Sequence, residues 1–136
     1  AVFNRAGNHQ FKEFLRMNPQ DILSIAYKWF DAFNNHNLEQ LLSLYDDHAQ
    51  HFSPKLKIRK PETNGLVVGK EAMREWWKDA FDRLPTLHYK VNALTANSDR
   101  VFMEYVRTVE GEPEMLVAEV LDIREGKITQ SRVYHG

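Results

Sequence analysis

Glu114-Met115-Leu116-Val117-Ala118-Glu119-Val120-Leu121-Asp122-Ile123-Arg124-Glu125-Gly126-Lys127-Ile128-Thr129-Gln130-Ser131-Arg132-Val133-Tyr134-His135 reads as two long strands joined by a tight turn. From Met115 to Ile123 both alternating faces are mostly apolar, the signature of a strand covered on both sides. Glu119 interrupts that run. Gly126 can take the positive φ that a short hairpin loop needs, and the return strand, Ile128 to His135, is more polar. A carboxylate inside such a ribbon needs a partner, a hydrogen bond or a raised pKa, and each marks it for chemistry. At a wet sheet edge it would mean nothing.

Outward from this ribbon the period of two continues backwards. Leu87 to Ala96 and Arg100 to Val109 are two further strands, set off by Asn97-Ser98-Asp99 and by Glu110-Gly111-Glu112-Pro113. The first half is helical. Pro19-Gln20-Asp21 opens a helix to about Asn35, with Ile22, Ile25, Ala26, Trp29, Phe30 and Phe33 on one apolar stripe. Asn34-Asn35-His36-Asn37 breaks it, and Leu38 to Tyr45 is a second helix with Leu38, Leu41, Leu42 and Tyr45 inward. Ala49 to Ser53 reads as a short strand stopped by Pro54, and the basic Lys55 to Asn64 as a mobile loop. Gly69 to Phe81 is a third helix, burying Met73, Trp76 or Trp77, Ala80 and Phe81.

Helices first and a meander afterwards predict an α+β fold: a curled antiparallel sheet wrapped around an N-terminal helix hairpin and a third helix. Residues 1–20 form an N-terminal extension with a short helix from His9 to Met17, and 21–136 one domain. A chain of 136 residues supports one core. Eighteen basic against nineteen acidic residues set no global field for nucleic acid or an anionic membrane. The Lys55-Leu56-Lys57-Ile58-Arg59-Lys60 run is read as a solvated loop that can act as a lid. The absence of cysteine excludes disulfides, thiolate metal sites and cysteine nucleophiles. No apolar run reaches the length of a membrane span or signal core, so a soluble, cytoplasmic protein is expected.

Four stretches resemble one superfamily, the cone-shaped α+β barrel of nuclear transport factor two, ketosteroid isomerase and the SnoaL-like polyketide cyclases. They are Ala32 to Tyr45, the entry Asp46-Asp47-His48-Ala49 leading to Pro54, Gly69 to Trp77, and Gly126-Lys127-Ile128 ending in Arg132-Val133-Tyr134. The resemblance implies a cystatin-like barrel with an internal pocket. It implies no single activity, because this fold hosts isomerases, cyclases, dehydratases and proteins without catalysis. Where ketosteroid isomerase-like members carry a general-base Asp this chain has Ser53, which is no base at neutral pH. Where they carry an oxyanion-binding Tyr it has Trp29, which can only donate. Their second donor, a protonated Asp, falls on Glu119. Polyketide cyclase-like members often close the last strand with an acid, and this chain closes with His135-Gly136.

Strand alternation places Val117 and Leu121 inward with Glu119, and the family register adds Met103, Tyr105, Arg107, Ser131, Val133, His135, His51 and Ser53. The expected cup has Trp29, Trp76 and Met103 as walls and a few convergent polar groups, as a small-molecule site requires. In it His51 or His135 is a candidate general base, Glu119 an acid or oxyanion donor, Tyr105 or Trp29 a fixed donor, and Arg107 a partner for a substrate carboxylate or for Glu119. Ser53, Trp76, Met103 and Ser131 complete the substrate-binding set. Asp46, Asp47, His48 and His51 are close in sequence, but histidines three apart share a face only on a helix, so no metal is expected. Nor is an organic cofactor, since no phosphate loop or dinucleotide fingerprint is present.

The expected function is therefore cofactor-independent proton transfer on a hydrophobic carbonyl compound, as an isomerase, cyclase or dehydratase. The alternatives are a ligand-binding module without chemistry and an interaction protein. Phe102, Val106, Val120 and Tyr134 fall on the outer sheet face, which a homodimer is expected to cover.

Overall fold

Asn18 starts the first helix by reciprocal capping: its side chain accepts from the Asp21 amide at 2.9 Å, and the Asp21 carboxylate accepts from the Asn18 amide at 3.3 Å. With Pro19 in the first turn, the chain runs helically over Pro19–Asn34, α1, and turns Ile22, Ile25, Ala26, Trp29, Phe30 and Phe33 into the core. The computed structural model describes residues 17–135. The helix expected over His9 to Met17 lies, but for Met17, outside them. His36 takes a positive φ of 51° to reverse the chain, and α2 spans Leu38–Ser43 under an Asn37 cap.

Tyr45 departs from expectation. It ends no helix but opens β1, Tyr45–Phe52, which is longer than the strand predicted from Ala49. The Ile128 amide donates to the Leu44 carbonyl at 2.8 Å, so pairing to the last strand claims this backbone before another helical turn can form.

The second departure is the basic stretch. Ser53 accepts from the Lys55 amide at 3.3 Å, Pro54 occupies the first turn, and α3 spans Pro54–Arg59, followed by a 3-10 turn over Pro61–Thr63. Leu56, fully buried, anchors it. One leucine, a cap and a first-turn proline outweigh the polarity that suggested a mobile loop. β2, Leu66–Val68, then pairs antiparallel with β1. The helix α4, Lys70–Arg83, buries both Trp76 and Trp77.

β3 (His88–Ala96), β4 (Arg100–Thr108), β5 (Met115–Arg124) and β6 (Lys127–His135) form the expected meander. Between β5 and β6 only Glu125 and Gly126 intervene, both at positive φ, as a two-residue hairpin turn requires. The six strands make one curled, unclosed sheet in the order β2-β1-β6-β5-β4-β3, antiparallel except for the parallel β1–β6 pair. That pair brings the first strand's His51 opposite Ser131 of β6. The core lies between the helices and one face of this sheet, an α+β architecture.

Candidate active site

Alternation along β5 sends Val117, Glu119, Leu121 and Ile123 into the interior. Glu119 is 2 % exposed and faces Met103 of β4 on one side and Val133 of β6 on the other. Its one bond is with Tyr105, whose hydroxyl donates to Oε1 at 2.7 Å. The other oxygen, Oε2, is buried with no hydrogen-bond partner among the described residues. Burial pushes the carboxyl up to about 8, while the Tyr105 hydrogen bond pulls the other way. Desolvation wins because no cation among the described residues is bonded to the group. Near neutrality Glu119 is therefore chiefly a neutral acid, with its proton on the unbonded Oε2.

The tyrosines around it stay protonated. Burial first, and the nearby Glu119 second, raise the hydroxyls of Tyr45, Tyr89 and Tyr105 above the ordinary phenol range. Tyr105 is held between Tyr89, 4.4 Å away between ring centroids, and Phe30, 5.5 Å away and edge-on.

A second polar chain crosses the core beside this acid. Trp29 Nε1 donates to the Tyr45 hydroxyl at 3.1 Å, Tyr45 lies 2.9 Å from Ser131 Oγ, and Ser131 Oγ lies 2.7 Å from His51 Nδ1. Its direction follows from one end. An indole can only donate, so the Tyr45 hydrogen must go to Ser131, and the Ser131 hydrogen to His51 Nδ1. The reverse arrangement would strand the hydrogen of a fully buried serine, at about 1–3 kcal/mol. His51 thus carries its proton on Nε2. Burial pushes its imidazole down to about 4, so the ring stays neutral.

Above these groups lies a cavity of about 290 Å³. Phe33, Trp76, Trp77, Leu84, Leu87, Tyr89, Val117 and Val133 form its apolar wall, and His51, Ser53, Tyr105, Arg107, Glu119 and His135 line it too. His135 is half-buried, and burial, then Lys55 and Arg107, lower its affinity for a proton.

Of the ten residues proposed from sequence, Glu119, His51, His135, Tyr105, Ser53, Trp76 and Arg107 meet at this cavity. Trp29, Met103 and Ser131 do not line it. Trp29 and Ser131 stand behind His51 in the hydrogen-bonded chain, and Met103 is wholly buried across from Glu119. Arg107 pairs with Glu112 at 3.3 Å, not with Glu119. The Ser53 hydroxyl caps α3.

Sequence reading missed Tyr45, Tyr89, Lys55, Arg59, Arg83 and Glu112. Tyr89 shares the inward parity of Leu87 in its strand, a signal that was present. Lys55 and Arg59 reach the rim only because α3 is a helix. Asp46, Asp47, His48 and His51 do not converge: Asp46 accepts from the His48 amide, Asp47 pairs with Lys70 at 3.4 Å, and His51 is interior. Among the described residues no three candidate ligands cluster for a metal.

An α+β fold with an open curled sheet, helices on its inner face and a cavity over a buried acid defines the class. Residues 26–131 match the SnoaL-like domain family, and the chain belongs to it. Among solved structures it is similar to a SnoaL-like protein of unknown function from Burkholderia thailandensis, at 25% identity over 89% of this chain and 98% of that one, with a TM-score of 0.79. An NTF2-like protein from Anabaena variabilis aligns at 21% identity over 86% and 87% of the two chains, TM-score 0.70. A protein of unknown function with a cystatin-like fold from Methylobium petroleophilum aligns at 14% over 89% and 79%, TM-score 0.74. No curated protein matches. No helix among the described residues is long and apolar enough to cross a membrane.

Proposed function

We propose that this chain is a cofactor-independent enzyme that moves a proton on a hydrophobic carbonyl compound, in an isomerase, cyclase or dehydratase reaction. The observation that carries this reading is the buried, unpartnered Oε2 of Glu119 beside an apolar cavity. A neutral carboxylic acid in such a place lacks an acceptor, and a substrate carbonyl oxygen supplies one. As charge develops on that oxygen, the Glu119 O–H strengthens its bond or gives up its proton. Tyr105 holds the carboxyl from behind. His51 serves as a second, fixed N–H donor, and the rim imidazole of His135, largely neutral at pH 7, is the base that takes the substrate's proton.

The test is turnover of a cyclic enone or a β-hydroxy ketone, followed by absorbance. Glu119→Gln, which keeps shape and an N–H donor but has no proton to transfer, should reduce kcat by about 100-fold or more. Unchanged turnover in Glu119→Gln and in His51→Ala would refute the proposal.

One observation favours a second reading, a ligand-binding module without chemistry. Ser53, at the position where ketosteroid isomerase-like members carry a general base, uses its hydroxyl to cap α3. On that reading ligand affinity would show no inflection near pH 8, where Glu119 changes charge.

A further inference from the structure

We infer that the cavity takes an amphipathic monocarboxylate, with the carboxylate held at the rim between Lys55 and Arg107 and the apolar body directed toward Glu119. The reaction assigned to such a compound rests on the proposed function; the anion site rests on the rim's own residues.

Arg107 is the first of these. It is 6 % exposed, and among the described residues its only charged partner is Glu112, through one nitrogen at 3.3 Å. A guanidinium offers five N–H donors in a planar fork. One long bond to a carboxylate that is itself 43% exposed leaves the rest of that fork to water or to a ligand at the cavity it lines.

Lys55 is the second. It lines the same cavity, is half-buried, and has no ion pair among the described residues. Burial and then Arg107 weaken its hold on its proton; Glu112 opposes them in part, and Arg83 acts in the same sense as Arg107. Those cations are near enough to repel one another.

The balance of charge at the rim gives the sign of the ligand. Lys55, Arg59, Arg83 and Arg107 line the cavity, against Glu112; Arg59 and Arg83 also share Asp79, at 3.7 and 2.7 Å. Four cations against two carboxylates leave positive charge over, and Glu119, kept neutral by burial, cancels none of it. A cationic ligand would be repelled, and a neutral one would leave the excess positive charge uncompensated. A planar carboxylate can accept from guanidinium and ammonium together. A doubly charged head is disfavoured because Glu112 remains beside the fork. The apolar wall further in suits a hydrocarbon body and not a small inorganic anion.

The experiment compares phenylbutanoate with the isosteric phenylbutanamide by titration calorimetry near pH 7 on the whole chain. The acid should bind about tenfold tighter than the amide, as a charge-assisted contact implies, with the advantage shrinking in high salt. Lys55→Met and Arg107→Gln should each reduce that ratio, and Lys55→Glu, which leaves three cations against three carboxylates, should bring it close to one. Equal affinity for acid and amide, no binding of either at millimolar concentration, or a ratio unchanged in both Lys55→Met and Arg107→Gln would overturn the inference. Glu119→Gln should leave the ratio untouched. A preserved ratio without enone turnover therefore keeps the anion site and removes the proposed reaction, and turnover sensitive to Glu119 with a ratio of one does the opposite.

Discussion

The hydroxyl of Tyr105 donates to one oxygen of Glu119 at 2.7 Å, and the second oxygen of that carboxyl has no partner among the described residues. The bond orients the acid without charging it. A single neutral donor offsets only part of the desolvation of a carboxylate, so the acid form persists into the neutral range. Tyr105→Phe should therefore leave two unpartnered oxygens, raise the Glu119 pKa further and slow any reaction in which Glu119 ionises. A pH–rate profile whose Glu119-dependent limb moves to higher pH checks this, and a downward move would contradict it.

Glu119 and His51 make opposite contributions to stability, and their windows differ. The Glu119 carboxyl rises from 4.5 to about 8 on folding, so its stabilisation is complete below 4.5 and is lost as pH climbs toward 8. The His51 imidazole falls from 6.5 to about 4, so its contribution is present above 6.5 and is lost as pH drops toward 4. Between 4.5 and 6.5 the two slopes cancel. From 6.5 to 8 Glu119 acts alone, and this pair predicts a loss of about 2 kcal/mol. Denaturant unfolding across this range should show a plateau and then a decline. Glu119→Gln should remove the decline, and His51→Asn should extend it down to about pH 4.5.

The Trp29–Tyr45–Ser131–His51 chain has a fixed direction because its first member cannot accept. Nitrogen-15 NMR of the His51 ring should show an unprotonated Nδ1 and a protonated Nε2 from pH 6 to 8. Ser131→Ala should abolish that preference and cost about 1–3 kcal/mol by stranding Tyr45. A protonated Nδ1 in the unmodified protein would remove His51 as an N–H donor to substrate.

How much of this site was legible follows from where each contact originates. Glu119 stood out because an acid in the middle of the apolar run Met115 to Leu121 violates its local pattern, and alternation alone then aims Val117 and Leu121 with it. The link from His51 to Ser131 needs β1 to lie parallel to β6, 80 residues away, and nothing local to either strand encodes that pairing. Tyr45 was legible as a buried residue but not as a strand residue, since Leu38, Leu41, Leu42 and Tyr45 also fit one helical face. The rim was hidden by charge: Lys55 and Arg59 belong to a helix whose only buried side chain is Leu56.

Ser53 separates a capping residue from a catalytic one. Ser53→Ala should cost about 1 kcal/mol, because the Lys55 amide loses its acceptor, and should loosen the rim that carries Lys55. Ser53→Asp should restore the cap to within about 0.5 kcal/mol, since Asp caps as well as Ser. Thermal unfolding of the two variants checks the ranking. Equal stability of Ser53→Ala and the unmodified chain would mean that Leu56 and Pro54 hold α3 without the cap.

The outer face of the sheet yields the last prediction. Phe102, Leu116 and Tyr134 are 46%, 52% and 50% exposed, on three adjacent strands. Phe102 lies opposite Val120 in the β4–β5 register and Tyr134 opposite Ala118 in the β5–β6 register, so their side chains share one surface, turned away from Glu119. An exposed apolar patch on the outside of the curled sheet needs covering, and the proposed assembly is a homodimer that pairs the same patch across a two-fold axis. Sedimentation velocity at micromolar concentration should give twice the chain mass of 16.0 kDa. Phe102→Glu with Tyr134→Lys should shift the species to monomer while leaving phenylbutanoate binding intact, because the cavity opens on the other face. A single monomeric species at every concentration would rule the dimer out.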